Sequence, residues 1–588
     1  MTTNGITAAI QLNTRLLASK ACSLLINRYT LFFLGVYALS LAVNLLGGMG
    51  GVVLMTEDNY FYFKKEYCEL TLLFYLYCYC NMILRPSRWQ AWLAAVPLLL
   101  AYLAQDIYYL MYSSVFRIVE LTSLSELFTI LTSEIIVLLT VIVAVPLGFF
   151  FWSINYRKWL VITTGIVPLL LLIGTAEFYP KFFTATFEKV GEEIIYWDDA
   201  ISVANNGRFM MLLYREAERN LSIEKTEKFR DRPQYEQQAQ QQAAWIRTNS
   251  TKRNVHLVVM ESFIDPTLFQ GARFTKDPVH PSFKKLFGNQ MGLSVSPVVG
   301  GRTSQAEFEL LCGVPAFEEL VGVEFNSFTG TPAYCLPGRL ELAGYRTMAS
   351  NAYNPSFFNT PNAYKGIGFE KIFFPKEYVG GGNTYITTGD ASREDDFMFD
   401  EEIFSQNIAF ITPLLQETDG PPLFNYVLTI YGHVPHRLDE TKRPQVLKMI
   451  ASLKDAQLEQ SANQFFYRSK AVADYVGNLL ELDKKSLIIV VSDHVPPGQF
   501  GKTSYEKLRY LNNKTDSIHM NRILIIEGGK VKKYATLHHY DVPAVILNSI
   551  TDGAYCRKNT CGFMANKLLD DRQERHDDYM RLMAHATE

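Results

Sequence analysis

The chain has 588 residues, a formal net charge of −3 and a hydrophobic fraction of 48%. This length exceeds that of one ordinary domain, and the near-neutral charge gives no reason to expect a nucleic acid partner. The composition changes near residue 175. Long apolar runs dominate before this point, whereas charged residues, Gly, Pro and Asn then reach the frequencies of a soluble globular domain. The sequence therefore predicts a membrane part, residues 1–175, followed by soluble parts.

Five apolar segments precede residue 175, and we interpret each as a membrane-spanning helix. Some are shorter than the roughly 20 residues of a perpendicular span, but aromatic residues flank several of them, as in the interfacial belt of a bilayer. Basic residues precede the first segment, and no small-residue cleavage site follows it. This pattern is typical of an anchor and not of a removed signal peptide. The segments are 30–46, 70–84, 89–108, 127–152 and 159–175.

The loops between these segments indicate their orientation. Short basic links at 85–88 and 156–158 alternate with longer loops that carry acidic residues. The positive-inside rule places the N-terminus and the basic links in the cytoplasm. Five spans then deliver everything after residue 175 to the outer side of the membrane.

Four of the eight cysteines lie in the soluble part. An even number in an oxidising compartment predicts disulfides. The simplest arrangement joins Cys312 to Cys335 and Cys556 to Cys561, although four cysteines allow three pairings, and buried free thiols are the alternative.

Residues 176–250 are amphipathic, charged and helix-like, so we interpret them as a helical linker. In residues 251–588, continuous apolar runs at 254–263, 423–436 and 486–494 alternate with helical stretches such as 459–482. Such runs are typical of strands buried on both faces of a sheet. The sequence therefore predicts an α/β domain over 251–588.

Polar side chains follow the three predicted strands. Glu261 ends the first run, His433 lies in the second, and Asp493 and His494 end the third. Ligands of open α/β sheets bind at the carboxyl ends of the strands. Taken singly, these residues have ordinary explanations as loop caps or surface turns. Together, two carboxylates and an imidazole form an O/O/N set suited to Zn²⁺ or Mn²⁺.

The segment VVGGRTSQAEFELLCG, residues 298–313, predicts a glycine turn that leads into a helix. Glycines let the backbone approach a ligand closely, and helix N-termini bind anions. The Thr303 hydroxyl would complete the metal ligands, and coordination would lower its pKa, so that it could attack phosphorus near neutral pH. The alternative is that this hydroxyl is an ordinary helix N-cap.

The order of these motifs resembles a known family. ES after a strand, GxTSxxEF before a helix, GHxPx and SDHxP are similar to motifs of the lipoteichoic acid synthase type of phosphoglycerol transferase. These enzymes share the alkaline phosphatase/sulfatase fold with the lipid A phosphoethanolamine transferases, and the resemblance covers nearly the whole chain. It implies a sulfatase-like domain in which Glu261, Thr303, Asp493 and His494 hold the metal. It also implies that Thr303 is the nucleophile and that His433 contacts the substrate or moves its proton.

The head-group site departs from that family. Synthases of this type have a Trp followed two residues later by an Arg, whereas the segment SFFNT provides Phe358 and then Thr360. The missing arginine, and paired cysteines more typical of the phosphoethanolamine enzymes, favour phosphoethanolamine over phosphoglycerol. Phe358 itself, Arg302 and Asn351 are further candidates for substrate contacts. His256, inside an apolar strand, is expected to be structural.

The resemblance implies a multi-pass inner-membrane transferase with a periplasmic catalytic domain. It would move phosphoethanolamine, or phosphoglycerol, from a phospholipid to an envelope glycan such as lipopolysaccharide through a phospho-threonine intermediate. One alternative is a phosphoglycerol transferase that makes or decorates a glycerolphosphate polymer or a periplasmic glucan. Others are a plain phosphodiesterase and a non-catalytic sulfatase-like sensor or lipid tether. A classical sulfatase motif, C/S-x-P-x-R, does not fit SVSPVVGGR, because proline directly follows Ser296.

Overall fold

A computed structural model describes three long ranges of the chain, residues 67–112, 133–192 and 199–588. Residues 289, 321, 356, 381–382, 392–396 and 566–570 are outside the description, whereas residues 35, 38, 39, 42, 116, 118 and 194 are included. Internal contacts divide the chain into two units, Met1–Glu218 and Arg219–Glu588. The predicted boundaries at residues 175 and 250 stay predictions.

The first unit is built from helices. They are α1 (Tyr67–Ile83), α2 (Gln90–Tyr112), α3 (Ser133–Trp152), α4 (Trp159–Phe178), α5 (Pro180–Val190), α6 (Asp199–Asn206) and the start of α7 (Arg208–Thr226). Two stretches, Gln90–Tyr108 and Tyr156–Phe178, are long and apolar enough to cross a membrane, while Cys68–Ile83 and Val137–Trp152 are shorter apolar helices. The predicted segment 30–46, apart from four helical residues, and the start of 127–152 lie outside the described residues. Within the described residues, the structure thus provides two candidate spans where the sequence predicts five along the whole membrane part.

The second unit contains the predicted α/β domain. Its helices are the end of α7, α8 (Arg232–Asn249), α9 (Pro281–Phe287), α10 (Thr303–Cys312), α11 (Leu336–Leu342), α12 (Thr360–Ile367), α13 (Asp400–Leu415), α14 (Ala456–Leu482), α15 (Lys502–Lys507), α16 (Val542–Ile550), α17 (Ala554–Lys558) and α18 (His576–Ala586). Its strands are β1 (Val255–Met260), β2 (Ala272–Phe274), β3 (Gly292–Val295), β4 (Arg346–Asn351), β5 (Lys371–Phe373), β6 (Leu423–Leu428), β7 (Met449–Ala451), β8 (Leu487–Ser492), β9 (Met520–Glu527), β10 (Lys530–Lys532) and β11 (Leu537–His538).

Nine of these strands form one mixed sheet in the order β11-β3-β9-β8-β1-β6-β4-β5, with β10 paired to β9. The block from β8 to β5 is parallel, and β9 runs antiparallel to β8. Strands β2 and β7 form a separate antiparallel pair. The three apolar runs of the sequence are therefore β1, β6 and β8, which are direct neighbours, so their carboxyl ends meet at one edge.

Both faces of the sheet are covered, which explains why these runs are continuously apolar. Val255, Leu257 and Val259 of β1 belong to the core cluster on one face, together with Phe308 of α10. Val258 and Met260 belong to a second cluster on the other face, which includes residues of α13 and α14. All six residues of β1 are buried.

Two disulfides brace the domain. Cys312 is joined to Cys335 with an S–S distance of 2.05 Å, and Cys556 to Cys561 with an S–S distance of 2.10 Å. The first joins the last residue of α10 to the residue before α11. It therefore anchors the helix that carries Thr303 at its opposite end.

Candidate active site

Two neighbouring strands bring the acidic residues together. Met260, the last residue of β1, is in register with Ser492, the last residue of β8. Glu261 and Asp493 are the next residues of their chains, so they leave the sheet side by side. Both carboxylates are at most 2% exposed.

The orientation of Asp493 is set by backbone amides. Its Oδ1 atom accepts hydrogen bonds from the amide of Ser262 at 2.7 Å and from that of His494 at 2.6 Å. Its Oδ2 atom is buried and has no hydrogen-bond partner in the described structure. One oxygen of this carboxylate is thus held by the protein, and the other points toward Nε2 of His494 at 3.2 Å.

The tautomer of His494 follows from its surroundings. The Nδ1 atom lies 3.0 Å from the carbonyl oxygen of Val495, which can only accept, so Nδ1 carries the proton. The lone pair of Nε2 is then directed toward the carboxylates, the usual arrangement of a metal-binding histidine. Burial lowers the pKa of His494, which favours this neutral form.

The Thr303 hydroxyl meets the carboxylates from another part of the chain. Thr303 is the first residue of α10, and Arg302, in the left-handed region at φ 60°, occupies the N-cap position without a side-chain cap. The Thr303 Oγ1 atom donates a hydrogen bond of 2.9 Å to Oε2 of Glu261. Its hydroxyl is therefore part of the polar cluster and not the cap of its own helix.

The preceding turn depends on glycine at one position. Gly300 adopts φ 73°, and a side chain there would press against Pro497, whose Cβ would lie 3.3 Å from the added atom. Gly301 has open space around it. The structural need for glycine in this turn therefore lies at Gly300, whereas the predicted approach of the turn to a ligand stays a prediction.

Glu261, Asp493 and His494 have the geometry of a metal site. Each offers one ligand atom, and these atoms all lie within 4.8 Å of one another. The side chains are buried, and Nε2 of His494, like Oδ2 of Asp493, has no hydrogen-bond partner in the described structure. Unsatisfied polar atoms are costly in a protein interior, and two carboxylates and an imidazole suit Zn²⁺ or Mn²⁺. The donor set therefore fits a divalent cation.

The electrostatics of the cluster support the same fit. Burial, followed by the charge of Glu261, raises the pKa of Asp493 well above its ordinary value. Burial also acts to raise the pKa of Glu261, but His494, His433 and the hydroxyls of Ser262 and Thr303 together bring it below its ordinary value. Two adjacent buried carboxylates repel each other, and a cation between them would remove that repulsion.

His433 lies on a tight turn beyond β6. The Val434–Pro435 peptide is cis, and the amide of His436 donates to the carbonyl oxygen of His433 at 3.1 Å. Its Nδ1 atom is 2.9 Å from the carbonyl oxygen of Val434 and therefore carries a proton, which leaves Nε2 available. The ring is half-buried, and its charge acts on both Glu261 and His494.

Aromatic rings border His433. The Tyr353 ring lies parallel to the imidazole, with centroids 6.4 Å apart, and the Phe397 ring meets it edge-on at 5.3 Å. Phe357 packs on Tyr353 at 4.5 Å, and Phe358 on Phe357 at 5.9 Å. Phe358 is thus connected to the site indirectly, by its packing on Phe357, which packs on Tyr353. The backbone of Phe358 adopts φ 48°, which is unusual for a residue with a large side chain.

The remaining predicted residues are engaged with the protein. Nη1 of Arg302 forms an ion pair with Oε2 of Glu318 at 2.9 Å. Asn351 ends β4, in the parallel block of strands, and is 4% exposed. His256 is buried within β1, where its Nδ1 atom accepts a hydrogen bond of 3.2 Å from the side-chain Nδ2 atom of Asn425. His256 therefore has the structural surroundings expected of it.

Sequence reasoning assigned the glutamate one turn beyond Thr303 to the scaffold and did not predict its partners. Oε1 of Glu307 accepts hydrogen bonds from the hydroxyls of Tyr364 and Tyr426, which are 57 and 119 residues away along the chain. No local pattern links residues so far apart. The available signal was the pair Glu307 and Glu309 on α10, and it does not identify their partners.

This fold and this cluster define a class: an α/β protein with a threonine at a helix N-terminus beside acidic and histidine side chains at the carboxyl ends of parallel strands. The Sulfatase family profile matches residues 253–550, just over half of the 588-residue chain. The chain belongs to the sulfatase family, within the alkaline phosphatase superfamily.

Curated relatives match part of the chain. A protein of Rhizobium meliloti (strain 1021), whose name assigns it provisionally to cyclic beta-1,2-glucan modification, is 25% identical over 269 residues, 44% of this chain and 38% of that protein. Lipoteichoic acid synthase 1 of Bacillus subtilis (strain 168) is 26% identical over 204 residues, 33% of this chain and 28% of the synthase. The chain thus spans well under half the length of these two relatives.

Among solved structures, the phosphoglycerol transferase GacH of Streptococcus pyogenes, in complex with sn-glycerol-1-phosphate, superposes with a TM-score of 0.45 and 17% identity. The superposition covers 61% of this chain and 92% of that one.

Proposed function

We propose that this protein is a membrane-bound transferase that moves phosphoethanolamine, or phosphoglycerol, from a phospholipid to an envelope glycan through a phospho-threonine intermediate. The observation that carries the proposal is the half-buried Thr303 hydroxyl, 2.9 Å from Glu261 at the start of α10. Substrate can reach this hydroxyl, whereas the three acidic and imidazole side chains beside it are buried. Membership of the sulfatase family and similarity to a lipoteichoic acid synthase support this assignment.

Four side chains would hold the cation. Glu261, Thr303, Asp493 and His494 provide three oxygens and a nitrogen, which suits Zn²⁺ or Mn²⁺. When bound, the cation would lower the pKa of the threonine hydroxyl and stabilise negative charge on the phosphoryl group.

The reaction then has two halves. The Thr303 hydroxyl first loses its proton to water. Its deprotonated oxygen attacks the phosphorus of the donor lipid, and the bond from phosphorus to the diacylglycerol oxygen breaks; the same deprotonated oxygen is released at the end of the second half. His433 donates a proton to that leaving oxygen. In the second half, His433 removes a proton from an acceptor hydroxyl, whose oxygen attacks phosphorus and releases Thr303. His433 is therefore an acid first and a base second, so each turnover restores its protonation state.

The identity of the head group is a finer part of the proposal. In the sequence, Thr360 stands where the synthases have an arginine, and Arg302 is paired with Glu318. Aromatic rings border His433. Such a border suits the ammonium of phosphoethanolamine better than the hydroxyls of glycerol. The similarity to a lipoteichoic acid synthase favours phosphoglycerol as the second candidate. The relative named for cyclic glucan modification favours a glucan among the acceptor glycans.

The membrane location has its own support. In the most apolar part of the stretch Tyr156–Phe178, only 6% is buried within the protein, although the mean hydropathy there is 2.1. A core helix of a soluble protein would be mostly covered, so this exposed apolar surface supports a lipid environment. We therefore propose an inner-membrane protein with five spans and a periplasmic catalytic domain.

Mass spectrometry of the intact protein and its peptides tests the proposal. Purified protein is incubated with a divalent metal and either phosphatidylethanolamine or phosphatidylglycerol. An adduct of the corresponding head-group mass on Thr303 is expected, and Thr303→Ala should abolish it. Ser304→Ala is the matched control, because this neighbouring hydroxyl is buried and should not be labelled.

Three other results would change the assignment. Release of the head group without a glycan acceptor, as fast as with one, would indicate a phosphodiesterase. An adduct with phosphatidylglycerol alone would select the phosphoglycerol transferase. If neither lipid marks the protein and no diacylglycerol is released, a non-catalytic sensor or lipid tether becomes the better assignment.

A further inference from the structure

A buried hydrogen-bond network begins on the helix of Thr303. Glu307 lies one turn after Thr303 on α10 and is 2% exposed. Its Oε1 atom accepts a hydrogen bond of 2.6 Å from the Tyr426 hydroxyl and another from the Tyr364 hydroxyl. The carboxylate therefore holds together α10, β6 and α12, three elements that are distant in sequence.

Tyr364 extends the network toward His433. The Tyr364 hydroxyl accepts a hydrogen bond of 3.2 Å from Nδ2 of Asn351, and Oδ1 of Asn351 accepts one of 2.8 Å from the amide of Tyr353. The Tyr353 ring lies parallel to that of His433. This series of contacts thus runs from α10, which carries Thr303, to the Tyr353 ring beside His433.

The groups that face Glu307 determine the pKa of its carboxyl group and the hydrogen bonds that it accepts. Burial raises its pKa to about 7, the hydroxyls of Tyr364 and Tyr426 act to lower it, and the charge of Glu261 acts to raise it. Two hydroxyl donors converge on one oxygen, which is the arrangement that an ionised carboxylate accepts. Leaving either hydroxyl without its acceptor in this buried position would be costly.

We propose that Glu307 is a positioning residue of the transfer reaction. Through Tyr364 and Asn351 it fixes the ring beside His433 relative to Thr303, so that nucleophile and proton donor keep the separation that the reaction requires. This inference rests on the proposed function and deepens it. Glu307 does not touch the reacting atoms and acts through the side chains that it holds.

Two tyrosine variants separate this role from packing. Tyr364→Phe and Tyr426→Phe each remove one hydroxyl from the same carboxylate oxygen, and both rings are fully buried. Of the two, Tyr364 is the one bonded to Asn351. We expect Tyr364→Phe to lower kcat about tenfold more than Tyr426→Phe, because small misplacements of reacting groups are costly. The KM for donor lipid should change less than about twofold in both, since neither ring binds the lipid.

Variants of the glutamate provide a rescue and a control. The amide oxygen of Glu307→Gln can still accept both hydroxyls, so most of the activity should remain. Glu307→Ala has no acceptor and should lose about a hundredfold in kcat. Glu309→Gln is the matched control, because Glu309 is a second buried acid on the same helix, and its Oε1 atom accepts the Ala316 amide at 3.0 Å instead. This control should keep kcat within about twofold of the wild type.

The experiment uses the full chain in proteoliposomes that contain phosphatidylethanolamine or phosphatidylglycerol. Diacylglycerol release gives kcat and KM, and melting temperatures are recorded for every variant. Equal losses of kcat in the two tyrosine variants, or an inactive Glu307→Gln with an unchanged melting temperature, would overturn the positioning role. A wild-type protein that releases no diacylglycerol from either lipid would overturn the proposed function, and this inference with it.

Discussion

The amide of Ser262, which follows β1, donates a hydrogen bond of 2.7 Å to Oδ1 of Asp493, which follows β8. This bond ties the loops after two neighbouring strands to each other. It also uses one oxygen of the carboxylate and leaves Oδ2 directed toward His494, 3.2 Å from Nε2. Backbone amides thus orient the Asp493 carboxylate.

Asp493→Asn should therefore abolish metal binding with little change in fold. The amide oxygen can keep the two backbone hydrogen bonds, but an NH₂ group then faces the site, and it cannot act as a ligand. We expect the metal content after dialysis to fall at least about tenfold and activity at least about a hundredfold. Elemental analysis and the assay of diacylglycerol release measure these effects.

Asp265→Asn is the control for this variant. Asp265 is also buried, but it pairs with Arg522 at 2.8 Å and caps a short helical turn through the amide of Thr267. Its replacement should lower the melting temperature and leave the metal content unchanged. Equal metal content in Asp493→Asn and the wild type would contradict the proposed ligand set.

Gly432 should be irreplaceable in front of His433. A methyl group at this position would overlap the carbonyl oxygen of Glu261 and the guanidinium of Arg468. Arg468 cannot move away easily, because it is 2% exposed and bound to Asp400 at 2.6 Å. Gly432→Ala should thus destabilise the protein by about 2 kcal/mol and displace His433, with a large loss of activity.

A second glycine provides the comparison. Gly477 lies inside α14, and a methyl group there would meet no atom within 4 Å. Gly477→Ala should stabilise the protein by about 0.5 kcal/mol, because alanine favours helices. Melting temperatures in detergent distinguish the two variants, and a neutral Gly432→Ala would show that the loop can rearrange.

The strand ends could be predicted from sequence because they depend on local pattern. An apolar run followed by an acid identifies Glu261 and Asp493, and adjacency of β1, β6 and β8 then brings these residues to one edge. The contacts that complete the site are tertiary. The bond from Thr303 to Glu261 joins residues 42 positions apart, and neither residue predicts it alone.

Other contacts near the site could not be predicted from the sequence either, because they also depend on tertiary structure. Pairing of Arg302 with Glu318 depends on how the loop after α10 folds back, and the partners of Glu307 come from a strand and a helix far along the chain. A buried acid has no sequence signature that distinguishes it from an exposed one. Its burial is decided by the sheet that forms over it.

The two disulfides should contribute unequally to stability. Cys312 and Cys335 are 23 residues apart, whereas Cys556 and Cys561 are 5 apart. Closing the longer loop removes more freedom from the unfolded chain, so its loss should cost about 3 kcal/mol against about 2 kcal/mol for the shorter loop. Urea midpoints of the two double-serine variants, measured without reductant, should follow this order. The reverse order would indicate that native contacts and not chain entropy dominate.

Stability should decrease as pH rises toward 8, in part because of Glu309. Burial raises its pKa from an ordinary 4.5 to about 8. The folded protein therefore holds a proton there that the unfolded chain releases above pH 4.5, so the stability present at low pH is lost as pH rises through the folded-state pKa. Residue 309 does not titrate in Glu309→Gln. The free energy of unfolding of this variant should therefore fall less between pH 5 and 8 than that of the wild type, by on the order of 3 kcal/mol.

Melting temperatures across this pH range test the effect. Glu574→Gln is the control, because Glu574 is exposed, and its curve should follow the wild type. Parallel curves for Glu309→Gln and the wild type would show that Glu309 stays ionised in the folded protein.

Labelling from one side of the membrane should place residues 87 and 285 on opposite sides. Ser87 and Lys285 are both exposed, the first in a basic link and the second in the α/β domain. Three predicted spans separate them, 89–108, 127–152 and 159–175, and an odd number reverses the side. If Gln90–Tyr108 and Tyr156–Phe178 were the only spans between them, both residues would face the same side.

The experiment uses Ser87→Cys and Lys285→Cys in a chain whose four membrane-part cysteines are replaced by alanine. An impermeant maleimide added to spheroplasts should label residue 285 and not residue 87, and permeabilisation should expose both. Labelling of both or of neither before permeabilisation would indicate an even number of spans between the two residues and would contradict the three predicted ones. The α/β domain would then share a compartment with the basic link at 85–88, which the positive-inside rule assigns to the cytoplasm. In that compartment the Cys312–Cys335 and Cys556–Cys561 bonds would not persist, so the disulfides themselves favour the odd count.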